Sequence, residues 1–165
     1  WHLGEKQHWR KFTLWEEATR SPLIWVVPGI TKAGEICQRP VDFLSIYPTL
    51  CDLIDVPLPN HLEGNSLAAL LEKPDCHWDG VALTTHGHRN HAIRDGQFRY
   101  IRYADLSEEL YDHTTDPYEF TNLANDETMI ATKRRLAAFL PKNETPPKTM
   151  SRKKNKRKKP NLLTD

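Results

Sequence analysis

No apolar run in this chain approaches the ~20 residues that a membrane-spanning helix requires; Leu23-Ile24-Trp25-Val26-Val27 is as long as any. Cysteine is scarce. Cys37, Cys51 and Cys76 are an odd set without C-x-x-C spacing, which argues against a structural zinc or a dithiol centre and leaves room for one disulfide whose pair the spacing does not choose. Internal repeats are missing as well. Trp1 to Lys11 lacks the order of charge and apolar residues found in a secretory leader, which is silent about any residues before it.

Excess charge of one sign is also absent, but the formal +1 hides a division. Residues 152–159, RKKNKRKK, hold seven of the 23 basic residues. The rest of the chain, Asp165 aside, is near −5 (16 − 21). A mildly acidic body with a basic appendage is not a basic nucleic-acid-binding domain. The tail is compatible with a polyanion contact through 152–159, or with a solubilising end. It has no interleaved aromatics of the kind single-strand readers use.

What is present is concentrated early. Trp1 to Pro28 holds four of the five tryptophans, with His2, His8, Lys6, Arg10 and Lys11. Termini are usually polar, so an aromatic cluster at residue 1 suggests a chain entered part-way through a fold. Thr13 and Glu16 have capping-box spacing for a short helix around Thr13 to Thr19. Leu23 to Val27, bounded by Pro22 and Pro28, reads as a strand buried on both faces of a parallel sheet. A helix is expected from Ser45, with Pro48 in its first turn and Tyr47, Leu50, Cys51 and Ile54 as its apolar face. A shorter one follows Asn65-Ser66. Val81 to Thr85 reads as a strand, and His91 to Tyr103 as a hairpin turning at Asp95-Gly96. Glu109 to Tyr111 adds a strand. Asp126 caps a last helix with Met129, Ile130, Leu136, Phe139 and Leu140 on one face.

Several segments together resemble the sulfatases of the iduronate-2-sulfatase type. They are Trp1-His2-Leu3-Gly4-Glu5, Trp9-Arg10-Lys11, Trp15 to Arg20, Asn90 to Arg94, Arg99 to Tyr103, Glu109 to Asp112 and Asp116 to Leu123. The resemblance runs from Trp1 to about Leu140. It implies an α/β chain, the C-terminal part of an alkaline-phosphatase-like sulfatase fold, with a small antiparallel sheet and a C-terminal helix. The expected divisions are the end of the α/β catalytic domain over 1–75, the sheet-and-helix subdomain over 76–141, and a disordered basic tail over 142–165.

In that family a lysine after Gly-Glu-x-x-x-Trp-x contacts the sulfate, and Lys11 stands at that position. A compact ammonium with rotating donors suits a tetrahedral oxyanion. Trp1 matches the Trp that follows Asp-His-Gly in relatives and is either pocket wall or packing. Trp9, Trp15 and Trp25 are assigned to packing, and His2 and His8 are read as structural ahead of acid/base. Lys6 departs from the His often found after Gly-Glu. His86 and His88 share one face of a strand-loop and are candidates for substrate contact, against a plain polar loop.

The resemblance also implies a calcium ion and a formylglycine nucleophile. No cysteine here stands in a C-x-P-S-R or C-x-A-x-R context, and the metal ligands are expected upstream of Trp1, with none in this chain. The expectation is therefore a hydrolase of sulfuric esters on a sulfated carbohydrate, inactive as this chain alone, exported (periplasmic or extracellular) or lysosomal by resemblance. The alternatives are a phosphodiester or phosphonate hydrolase of the same superfamily, or a non-catalytic fragment or binding protein.

Overall fold

The computed structural model describes residues 1–145. The basic run 152–159, and all of the expected tail from 146 on, lie outside the described residues. At the centre is an antiparallel meander of four strands in sequence order: β3 (Ala82–Thr85), β4 (His91–Arg94), β5 (Phe98–Arg102) and β6 (Glu108–Asp112). A two-residue hairpin, β1 (His2–Leu3) with β2 (Trp9–Arg10), precedes it. Short helices fill the space between: α1 (Glu16–Thr19), α2 (Ile46–Leu53) and α3 (Ala68–Glu72). A last helix, α4 (Ile130–Ala137), follows the sheet.

The meander is covered on both faces, and its alternation shows how. Ile93 pairs with Tyr100, and Ala92 with Ile101. Ile93, Tyr100 and Leu110 pack with Ala124, Leu136 and Leu140 under α4. Ala92, Ile101 and Tyr111 pack on the opposite face with Leu14, beside Trp15 and Tyr103. Burying an aliphatic side chain such as Leu14 contributes about 1.5–3 kcal/mol, so a single turn after the first hairpin is enough to pin the N-terminal segment to the sheet. In α4 the buried face is narrower than the periodicity predicts: Leu136 and Leu140 are covered, while Ile130 and Phe139 are half exposed.

The hairpin turn at Asp95 is held by a side chain. Asp95 Oδ1 accepts from the N–H of Gln97 (2.8 Å) and of Phe98 (2.5 Å), an Asx arrangement. Gly96 is not among the positive-φ glycines, so the turn does not draw on its freedom. Asp126 caps the last helical segment as expected, accepting from the Thr128 N–H.

Three expectations are corrected. Leu23 to Val27 is not a strand: the segment is extended without a partner, and Ile24 and Val26 are 83% and 84% exposed. Apolar composition signals a need for cover, and no neighbouring strand among the described residues provides it. The capping box does not form either. Trp15 occupies the N-cap of α1 without a side-chain cap; the Thr13 hydroxyl bonds the His2 ring at 2.9 Å, and the Glu16 N–H donates to Glu119 instead. Finally, α2 buries Pro48, Thr49 and Cys51, while Tyr47, Leu50 and Ile54 face outward. Cys51 alone of the expected face is buried, and Thr49 explains the shift: its hydroxyl donates to Ser45 O and accepts from Leu67 N–H, tying α2 to α3. All three cysteines are free.

Candidate active-site cleft

The first hairpin is built tightly. Gly4 has φ 129°, and a Cβ there would lie 3.2 Å from the Trp9 ring, so only glycine lets this turn close. Lys6 follows with φ 51°, which turns its side chain inward. Its ammonium sits 4.4 Å from the Trp15 ring centroid and 4.1 Å from that of Tyr111. Burial pushes its pKa down against the upward pull of Glu119 and Glu109. Lys6 is thus a cation held between aromatic faces, away from the cleft. His2 is buried, edge-on to both His8 and Trp15. Burial and the neighbouring His8 lower its pKa, which keeps it neutral and structural.

The chain then reverses. Thr13 N–H donates back to Lys11 O at 3.0 Å, and Leu14 plunges into the core. Lys11 and Phe12 are left projecting into a cleft of about 1330 Å³. Lys11 Nζ stands 6.0 Å from the Trp1 ring and 5.9 Å from the Phe12 ring. Trp1 is 66% exposed, so it is not core packing; it lies beside the lysine. Trp9 is equally exposed, contrary to its assignment to packing.

The opposing wall carries His86, just beyond β3, whose ring stacks on Phe12 at 5.8 Å and 22°. Its loop is clamped by Asn90. The Asn90 amide donates to His86 O and His88 O, its Oδ1 accepts from Ala104 N–H, and its backbone O accepts from His86 N–H. Gly87 and Arg89, both at positive φ, let this loop turn. His88 points elsewhere: its Nε2 is 3.9 Å from Glu144, a carboxylate that also lies 3.4 Å from the buried His91. The structure therefore gathers Lys11 and His86 around one cleft, and leaves Trp1, beside the lysine, and His88 outside its lining.

An ion network reaches the cleft wall through Glu16, Arg94, Arg99 and His113. Arg99, 3% exposed, pairs with Glu119 at 2.6 Å, with Glu16, and with Leu14 O. Glu119 Oε1 also takes His113 at 2.8 Å, and Oε2 caps α1 through the Glu16 N–H. Burial pushes the Glu119 carboxyl up, but His113, Arg99 and the Glu16 N–H together hold it below the ordinary value. Arg94 joins through Glu16 at 3.9 Å and faces the cleft. Phe12, Asn90 and Arg94 escape reasoning from sequence: Asn90 looks like any turn residue, and Arg94 like an exposed strand end.

Among the described residues, the donors of Glu16, His113 and Glu119 lie within 4.8 Å of one another. Arg99 already pairs with both carboxylates, and His113 with one. The set is internally neutralised and does not fit a divalent cation. No cysteine fits a formylglycine precursor context either.

Comparison with known proteins gives the family. The family described as N-sulphoglucosamine sulphohydrolase, C-terminal, matches residues 4–145. A sulfatase of Formosa agariphila is 40% identical over 142 residues, 86% of this chain and 28% of the relative. Arylsulfatase K of Mus musculus is 31% identical over 137 residues, 74% of this chain and 25% of the relative. A phosphonate monoester hydrolase from Silicibacter pomeroyi superposes with a TM-score of 0.61 at 26% identity, over 79% of this chain and 30% of that one. The meander backed by its helix is thus the C-terminal part of an alkaline-phosphatase-like α/β fold. The chain belongs to the sulfatase family. It spans little more than a quarter of the length of those two curated relatives.

Proposed function

We propose that this chain forms the sulfate-facing side of a sulfuric ester hydrolase site acting on a sulfated carbohydrate, as in iduronate-2-sulfatase-type enzymes. The observation that carries the reading is Lys11, which lines the cleft with the exposed rings of Trp1 and Phe12 6.0 and 5.9 Å from its ammonium. Attack at sulfur leaves negative charge spread over the sulfate oxygens. An ammonium at that position stabilises the charge as it grows. Arg94, held by Glu16, adds positive potential from the wall.

Calcium and a formylglycine nucleophile belong to the proposal as groups supplied outside the described residues, and no step here runs through them. Export or a lysosomal location is proposed on the same footing. Helices long and apolar enough to cross a membrane do not occur among the described residues.

The test is a graft of this chain in place of the matching part of the Formosa agariphila sulfatase. It is expected to hydrolyse 4-nitrophenyl sulfate, with Lys11→Ala lowering kcat by about 10²–10³-fold, the size of losing one oxyanion donor. A Lys11→Ala graft with undiminished kcat overturns the assignment. The ungrafted chain is expected to turn over no aryl sulfate. A second reading is favoured by the Silicibacter pomeroyi likeness: preference of the graft for a phenylphosphonate monoester over the sulfate would move the chain to that class.

A further inference from the structure

The Phe12–His86 stack lies outside both hydrophobic clusters. Leu14, two residues on, fills the core at 2% exposure, whereas Phe12 is 63% exposed. Isolated exposed apolar residues are common and call for no explanation. Phe12 differs in three respects. One face is braced by His86 at 5.8 Å and 22°. The brace comes from a loop that Asn90 clamps through three side-chain hydrogen bonds. And the pair lines the same cleft as Lys11, whose ammonium is 5.9 Å from the Phe12 ring.

We infer that Phe12, braced by His86, is a stacking platform for the pyranose ring of the substrate, placed beside the cation that takes its sulfate. An aromatic face is electron-rich. The axial C–H bonds on one side of a pyranose carry the complementary partial charge and form an apolar patch, while the hydroxyls point outward to polar groups. A sulfated sugar presents both features at once: an anionic ester for Lys11 and, one ring away, a flat C–H face for Phe12. A bare oxyanion presents only the first. The platform accordingly selects sulfated pyranosides over small anions. Because His86 keeps the plane of Phe12 fixed, ordering of the ring does not have to be supplied on binding. Asn90 is then a positioning residue, acting through His86.

This inference rests on the sulfatase reading for the anion but not for the ring, so the two can be separated. The full chain is titrated by NMR with sodium sulfate, methyl β-glucopyranoside and methyl β-glucopyranoside 6-sulfate. The sulfated glucoside is expected to bind about tenfold tighter than inorganic sulfate, a gain of about 1.4 kcal/mol. Phe12→Leu should remove that gain and leave inorganic sulfate unchanged, while Phe12→Tyr should keep it. His86→Ala should weaken the sulfated glucoside, and His86→Phe restore it. Phe12 is exposed, so these variants are expected to keep the wild-type spectrum elsewhere. Equal affinity of Phe12→Leu and wild type for the sulfated glucoside overturns the platform, while Lys11→Ala losing both sulfated ligands would still uphold the anion site. Sugar binding lost in Phe12→Leu but unaffected by Lys11→Ala upholds the platform and overturns the role of Lys11. No binding of either sulfated ligand to the wild-type chain overturns both.

Discussion

Glu119 shows how much one carboxylate can connect. It joins the first helix, the second face of the sheet and the Asp116-Pro117 turn, and it is 1% exposed. Removing its main cation, as in Arg99→Met, strands two carboxylates and is expected to cost about 3–5 kcal/mol. The double variant Arg99→Met/Glu119→Leu should cost less than the sum of its parts, since the buried Glu119 charge is then gone and Glu16 keeps Arg94 at 3.9 Å. Urea unfolding at pH 7 measures both; additivity would show that the pair is not coupled. The same group sets an acid limit. Its folded-state pKa lies below the ordinary 4.5, so as pH falls the unfolded chain takes up the proton first. Its stabilisation is complete above 4.5 and is lost below it, down through the depressed value. The stability of Glu119→Gln is expected to change less than that of the wild type across that window; an identical acid profile would assign the acid limit to other groups.

At the scale of elements, what the sequence made legible were the pieces whose own residues determine them. Alternation and the Asp95 turn define β3 to β5, and Asp126 defines the start of the last helical segment. Segments whose partner lies far along the chain were misread. Glu16 looked like half of a capping box with Thr13, yet its N–H is capped from residue 119. The apolar spacing of α2 pointed to Leu50 and Ile54, yet Thr49, bonded to Leu67, sets the buried face. In the cleft, Lys11 was legible through its motif, while Phe12 and Asn90 were not, since their meaning depends on a loop more than seventy residues from Phe12 folding against it. Asn122 is the counterpart on the far edge of the sheet: its Oδ1 accepts from the N–H of Leu110 and of Ala124, and its amide donates to Glu108 O. Asn122→Ala leaves the buried Leu110 N–H unpaired and is expected to cost about 1–3 kcal/mol, read as a lowered urea midpoint with an unchanged slope. Asn122→Asp, which keeps the acceptor, should recover most of it.

Over the whole molecule, cover is unevenly distributed. Both hydrophobic clusters are built on β4 to β6, against α4 on one side and Leu14 on the other. The segment from 21 to 60 exposes Ile24, Val26, Ile36, Phe43 and Tyr47 instead. It is tied to the sheet by a polar link, Leu83 N–H to Asp42, and to the segment before β3 by Trp78 Nε1–H to Pro40 O. Backbone amides open with free energies that follow local burial and hydrogen bonding. Hydrogen exchange of the full chain should therefore divide in two. The amides of Ile93, Tyr100, Ile101 and Leu110 are expected to exchange only on global unfolding. Those of Ile24 to Val26 should exchange at rates near those of an unfolded peptide. The Glu119 variants above would then lower protection in β4 to β6 without changing residues 24–26, because the second set has little protection to lose. Protection of Ile24 to Val26 equal to that of β5 would contradict this division. It would mean that the apolar run is covered in solution, as its composition demands and the described residues do not provide.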